Sequence, residues 1–148
     1  MGGIGPAPGA RGFDRVLIKP IPQRLAAAGG GAPPPPRYAN TSYESTRGPV
    51  TTQWRLSQVG ATTTFTVRVL LPPNVATTVE LPLAPPIEGG AVHRGGSGRG
   101  EVVAAWDNPP SFESSCTWLP PPVLDTVRGV ARWEFSGFTD CTFSAIWG

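Results

Sequence analysis

From Val50 to Pro82 apolar and polar side chains alternate with a period of two, a pattern that suits half-buried β-strands and not helices. Val50, Thr52, Trp54 and Leu56 share one face until Gly60 interrupts the run. Thr63, Phe65, Val67, Val69 and Leu71 then alternate with Thr64, Thr66, Arg68 and Leu70. After Pro72-Pro73-Asn74 the pattern resumes at Val75, Thr77, Val79 and Leu81. Two such runs joined by a short Pro/Asn turn predict adjacent antiparallel strands.

Further strand signals lie at Phe13 to Lys19, Tyr38 to Ser45, Glu101 to Trp106, Val127 to Phe135 and Cys141 to Trp147. Prolines crowd a weaker candidate, Cys116 to Leu119. The one stretch with helical propensity, Gln23 to Ala28, stops at three glycines. Seven or so short strands without a long helix predict an all-β fold, an antiparallel β-sandwich with long Gly/Pro-rich loops. Ala84 to Gly100 reads as the main exposed loop, and Pro33 to Pro36 as a solvated insertion in polyproline II geometry.

Glycine and proline contribute 19 residues each of 148, and charged residues only 15%, which alone would suit a disordered chain. The 39% hydrophobic content and five tryptophans exclude that and provide for one packed domain. The net charge of +2 is scattered, and Lys19 is the single lysine. No basic stripe exists for nucleic acid, and no apolar stretch approaches a membrane span. The first residues lack the basic start and apolar middle of a secretory signal, so the chain as written is expected in the cytoplasm.

Cys116 and Cys141 have no metal-ligand spacing, and the single histidine, His93, sits in a glycine-rich run, so neither a metal nor a cofactor is expected. The cysteines read as two buried small side chains or as a disulfide, which over such a loop would contribute about 3 kcal/mol. Acidic residues, among them Glu44, Glu80, Glu101, Asp107 and Glu134, fall singly on strands and loops and read as solvated. They show no local pair of the kind an inverting glycosidase needs. Trp54, Trp133 and Trp147 fall in core-like alternation. Trp106 and Trp118 lie beside loops and are the candidates for sugar contact, the alternative being packing beneath those loops. Asn40-Thr41-Ser42 is an N-glycosylation sequon, relevant only in a secreted chain.

Several pieces in order resemble the C-terminal β-sandwich domain of bacterial and fungal α-L-rhamnosidases of glycoside hydrolase family seventy-eight. They are Gly12-Phe13 with Arg15-Val16-Leu17-Ile18-Lys19-Pro20, then Leu25 and Ala27, then Ser42-Tyr43-Glu44-Ser45 with Gly48, Val50 and Trp54. Phe65-Thr66-Val67, Leu71-Pro72-Pro73-Asn74 and Val79-Glu80-Leu81-Pro82 complete the set. The likeness is close from Gly12 to Pro82. Beyond it, Ser136 to Phe143 keeps only Phe143 of the family's closing strand. Gly3-Ile4 and Pro6 resemble the short bridge from the family's catalytic domain.

The resemblance implies a non-catalytic accessory domain over residues 12–148, with residues 1–11 a linker remnant. Its implied partner is a rhamnosidase barrel, absent or supplied in trans, that hydrolyses terminal rhamnose. Rhamnose-containing glycans are the alternative partner, through Trp106 or Trp118. The chain alone is not expected to hydrolyse glycosides. Phe13, Val16 and Ile18 are expected to contribute to the surface that docks on the barrel.

Overall fold

The computed structural model describes residues 3–11, 13–22, 36–84, 110–137 and 139–148. The expected helical stretch, the proline run at 33–35, the loop after Ala84, the strand Glu101 to Trp106, His93 and Trp106 lie outside the described residues. Ten strands are described: β1 Ile4–Pro6, β2 Arg15–Ile18, β3 Tyr38–Ser45, β4 Gly48–Val59 and β5 Thr62–Leu71, then β6 Ala76–Pro82, β7 Ser111–Ser114, β8 Val123–Asp125, β9 Val130–Ser136 and β10 Thr139–Trp147. They form two five-stranded sheets, a short-stranded one ordered β1-β2-β6-β9-β8 and a long-stranded one ordered β3-β4-β5-β10-β7.

The alternating residues point where their period demands. Val50, Thr52, Trp54 and Leu56 of β4 are buried, as are Thr63, Phe65, Val67, Val69 and Leu71 of β5. Cys141, Phe143, Ala145 and Trp147 extend this inward face on β10. Val16 and Ile18 of β2, Thr77, Val79 and Leu81 of β6, and Ala131 and Trp133 of β9 face them from the other sheet. Phe143 joins the two layers. Its ring lies 5.1 Å from that of Trp133 and 5.8 Å from that of Phe135. The Trp147 indole Nε1–H, buried in the same core, donates to the Leu83 carbonyl at 2.9 Å, so its polar atom is satisfied.

The expected pairing of the two runs around Pro72-Pro73-Asn74 is not what forms. β5 pairs with β4 and β10, whereas β6 pairs with β2 and β9 in the other sheet. The turn, with Asn74 at a φ of 63°, carries the chain across the sandwich. Period two specifies which face of a strand is apolar, and strands facing each other across a core satisfy it as well as hydrogen-bonded neighbours do.

The β2–β6 pairing is parallel, with Ile18 beside Val79. The other described pairings are antiparallel. β1, β7 and β8 are only three or four residues long. Val16 and Ile18, expected on a docking surface, are fully buried in the core, because β2 is covered on its apolar face by the long-stranded sheet. Phe13 is half-buried and stacks on Tyr43 with ring centroids 4.0 Å apart.

Two glycines fix the ends of these strands. Gly3 has a φ of +70°, and a side chain there would overlap the Lys19–Pro20 backbone, whose Lys19 N–H donates to the Gly3 carbonyl at 2.7 Å. Gly48 has a φ of +124° in the β3–β4 hairpin, where its Cα faces the Pro72 ring. In the same turn the Ser45 hydroxyl donates to the Gly48 carbonyl at 2.6 Å and accepts from the Arg47 N–H at 3.2 Å.

Candidate functional site

The acidic side chains decide first whether hydrolytic chemistry has a place here. Asp14 pairs with Arg47 at 3.2 Å, Glu134 with Arg132 at 3.5 Å, and Asp140 with Arg68 at 2.9 Å. The Asp125 carboxylate accepts from the Arg128 backbone N–H at 2.9 Å, closing the β8–β9 turn. No group of three or more His, Cys, Asp or Glu placed to hold a metal ion occurs among the described residues.

Glu80 departs from the solvated reading. It lies on the outward face of β6, beside Arg132 of β9, yet its side chain is 2% exposed. The Lys19 Nζ approaches its Oε2 at 3.2 Å and the Arg128 Nη1 its Oε1 at 2.9 Å. Both cations are themselves more than a third exposed. The carboxylate is thus sealed by the stems of two long side chains whose charged ends still reach water. Nothing local in the sequence separates Glu80 from the exposed Glu134, because its two partners come from distant strand ends.

Trp118 follows β7 in a turn and is 57% exposed. Its ring makes an edge contact with Phe135, centroids 6.0 Å apart. A small cavity of about 140 Å3 lies next along the chain, lined by Pro120, Pro121, Val123, Arg132, Trp133 and Glu134. Cys116, two residues before Trp118, is joined to Cys141 of β10 as a disulfide, with Cα atoms 5.6 Å apart.

The larger feature is an open groove of about 550 Å3 on the outer face of the long-stranded sheet. Its walls are Tyr38, Asn40, Gln53, Arg55, Thr66, Arg68 and Thr142, with an edge of Trp54 at the floor. Register builds it in two rows. Asn40, Gln53, Arg68 and Thr142 stand side by side across β3, β4, β5 and β10, and Tyr38, Arg55 and Thr66 form the row one pleat away. These are the polar partners of the buried alternation, so the period that packs the core also aligns them outside. Only the register between strands distant in sequence assembles them.

Within the groove Arg68 donates through Nε and Nη2 to both Asp140 oxygens at 2.9 Å. Those hydrogen bonds hold the Asp140 carboxyl below the usual carboxylate range and push Arg68 further up. Asn40, the sequon asparagine, is exposed in the groove wall, and Tyr38 is 69% exposed at its rim. Trp118 does not line it. No helix among the described residues is long and apolar enough to cross a membrane.

A family model described as the bacterial α-L-rhamnosidase C-terminal domain matches residues 3–96. The crystal structure of Streptomyces avermitilis α-L-rhamnosidase complexed with L-rhamnose aligns with a TM-score of 0.53 at 23% identity. That alignment covers 97% of this chain and 10% of the Streptomyces chain, so this chain spans about a tenth of that protein. No curated protein matches by sequence.

Proposed function

The chain belongs to the bacterial α-L-rhamnosidase C-terminal domain family, and from that premise we propose that it is a non-catalytic accessory domain supporting a rhamnose-hydrolysing barrel. The observation that carries this reading is its likeness, over almost its whole length, to one tenth of a rhamnosidase. The engagement of Asp14, Glu80, Glu134 and Asp140 with cationic side chains supports it, since a general acid or base must be free to meet substrate.

Contact with the barrel is assigned to the β8 edge. Trp118, Val123, Leu124 and Val127 are 57%, 66%, 55% and 95% exposed along this edge of the short-stranded sheet. Apolar side chains gathered at one edge suit burial against a partner rather than solvent. This edge takes the place of the surface expected around Val16 and Ile18.

Two measurements test the reading. Purified chain is expected to leave an aryl α-L-rhamnoside unhydrolysed; turnover abolished by substitution of one of its own carboxylates overturns the non-catalytic role. Mixed with a rhamnosidase barrel lacking its C-terminal domain, the chain is expected to co-elute as a complex, and Leu124→Asp to abolish it. A Leu124→Asp chain that still co-elutes refutes the β8 edge, and failure of the unsubstituted chain to associate refutes docking.

A second reading is supported by the exposed Trp118 ring, which offers an aromatic face of the sort that sugars stack on. Rhamnose or rhamnosylated flavonoids would then shift tryptophan fluorescence at millimolar concentration, and Trp118→Ala would remove the shift. Trp106 is proposed alongside it as the other loop tryptophan.

A further inference from the structure

We infer that the groove across β3, β4, β5 and β10 is a binding site for an acidic oligosaccharide, one bearing a uronate carboxylate. It is distinct from Trp118 and from the β8 edge.

The shape comes from the sheet. Four adjacent strands span about 14 Å, and the two residue rows are about 7 Å apart along them, a footprint for a short oligosaccharide lying flat. At one end Tyr38 is 69% exposed on the edge strand and presents a ring on which the C–H face of a pyranose can lie. Beside it, Asn40 and Gln53 are register partners. Their amides offer donors and acceptors together, which is what neighbouring sugar hydroxyls require.

Charge selects the class of sugar. Arg55 stands opposite Tyr38 in the β3–β4 register and has no carboxylate partner among the described residues. A guanidinium has five donors and no acceptor, so its preferred ligand is an anion gripped by two parallel hydrogen bonds. Arg68 adds a second guanidinium, held in place by Asp140. The groove walls therefore carry two guanidiniums, with the Asp140 carboxylate engaged by one of them. An extended, hydroxyl-rich, negatively charged chain matches these walls, and a neutral one leaves Arg55 unmatched.

Titration of the full chain with trigalacturonate and with its methyl ester, followed by calorimetry and by amide chemical shifts, tests this. The acid is expected to bind and to perturb amides of β3, β4 and β5. Loss of the charge-assisted fork predicts that Arg55→Ala weakens binding about tenfold and that the ester binds about tenfold more weakly than the acid, and loss of the stacking ring predicts that Tyr38→Ala weakens it about tenfold. Arg55→Lys, which keeps the charge and loses the fork, is expected to fall between Arg55→Ala and the unsubstituted chain. Circular dichroism of each variant is the check that these exposed substitutions leave the fold intact. Absence of binding at millimolar acid, equal binding of acid and ester, or binding lost with Trp118→Ala and kept with Arg55→Ala would each overturn the assignment.

Discussion

The two sheets treat charge in opposite ways. On the long-stranded sheet the outward residues are exposed or half-buried, and the doubly hydrogen-bonded pair Arg68–Asp140 is about half exposed on both sides. On the short-stranded sheet the outward face of β6 holds a carboxylate that water scarcely reaches. The first is a platform whose polar residues remain available. In the second, Glu80 ties the end of β2 to the β8–β9 turn through Lys19 and Arg128. Patterning alike on the inward side thus coexists with unlike outward sides, so the shared core does not determine what each face is for.

The contrast can be broken at its largest scale through the side chain the layers share. Phe143→Ala removes a fully buried ring lying against two aromatics of the other sheet, and is expected to cost about 3–5 kcal/mol in urea unfolding. One transition is expected for both layers; two would show that the sheets unfold separately. Reduction of Cys116–Cys141, which ties the segment after β7 to β10 across a separation of 25 residues, is expected to cost about 3 kcal/mol on a chain-entropy account. Thiol titration before and after reductant reports the starting state, and unchanged stability after full reduction would remove the bond from the account.

Glu80→Gln addresses the difference directly. With the charge removed and two cations left without their partner, a loss of about 1–3 kcal/mol is expected. Glu113→Gln, on an exposed position of the long-stranded sheet, is expected to shift stability by no more than about 0.5 kcal/mol. Equal effects would erase the distinction between the faces.

The smallest effect belongs to Arg68–Asp140. Because hydrogen bonds from Arg68 lower the folded-state pKa of Asp140, its contribution is present above the ordinary carboxylate range. It is lost as pH falls through the folded-state value. A decline in melting temperature in acid that is slightly smaller in Asp140→Asn than in the unsubstituted chain, with that difference reduced by salt, is the expected outcome.

Legibility in the sequence follows the same division. β4, β5 and β10 are readable because long runs of residues keep one period, and the apolar members identify the core side, Trp54 and Trp147 included. Neighbour relations are not readable from alternation, as the separation of β5 from β6 shows. Nor are β1, β7 and β8, whose three or four residues are too few to display a period. The groove escaped for a related reason. Tyr38, Gln53, Arg55 and Arg68 look individually like surface residues, and only pairing between segments far apart in sequence makes them one wall. Glu80 escaped because what shelters it comes from the end of β2 and from the β8–β9 turn.

The parallel contact between β2 and β6 has a consequence for how the molecule is made. A ribosome releases β2 early, but the neighbour that completes its edge follows only after β3, β4 and β5 have been synthesised. Until then Val16 and Ile18 remain open to water and to other nascent chains, and closing so long a loop is slow. The edge of β2 thus waits for the whole β3–β5 stretch to emerge before β6 can cover it.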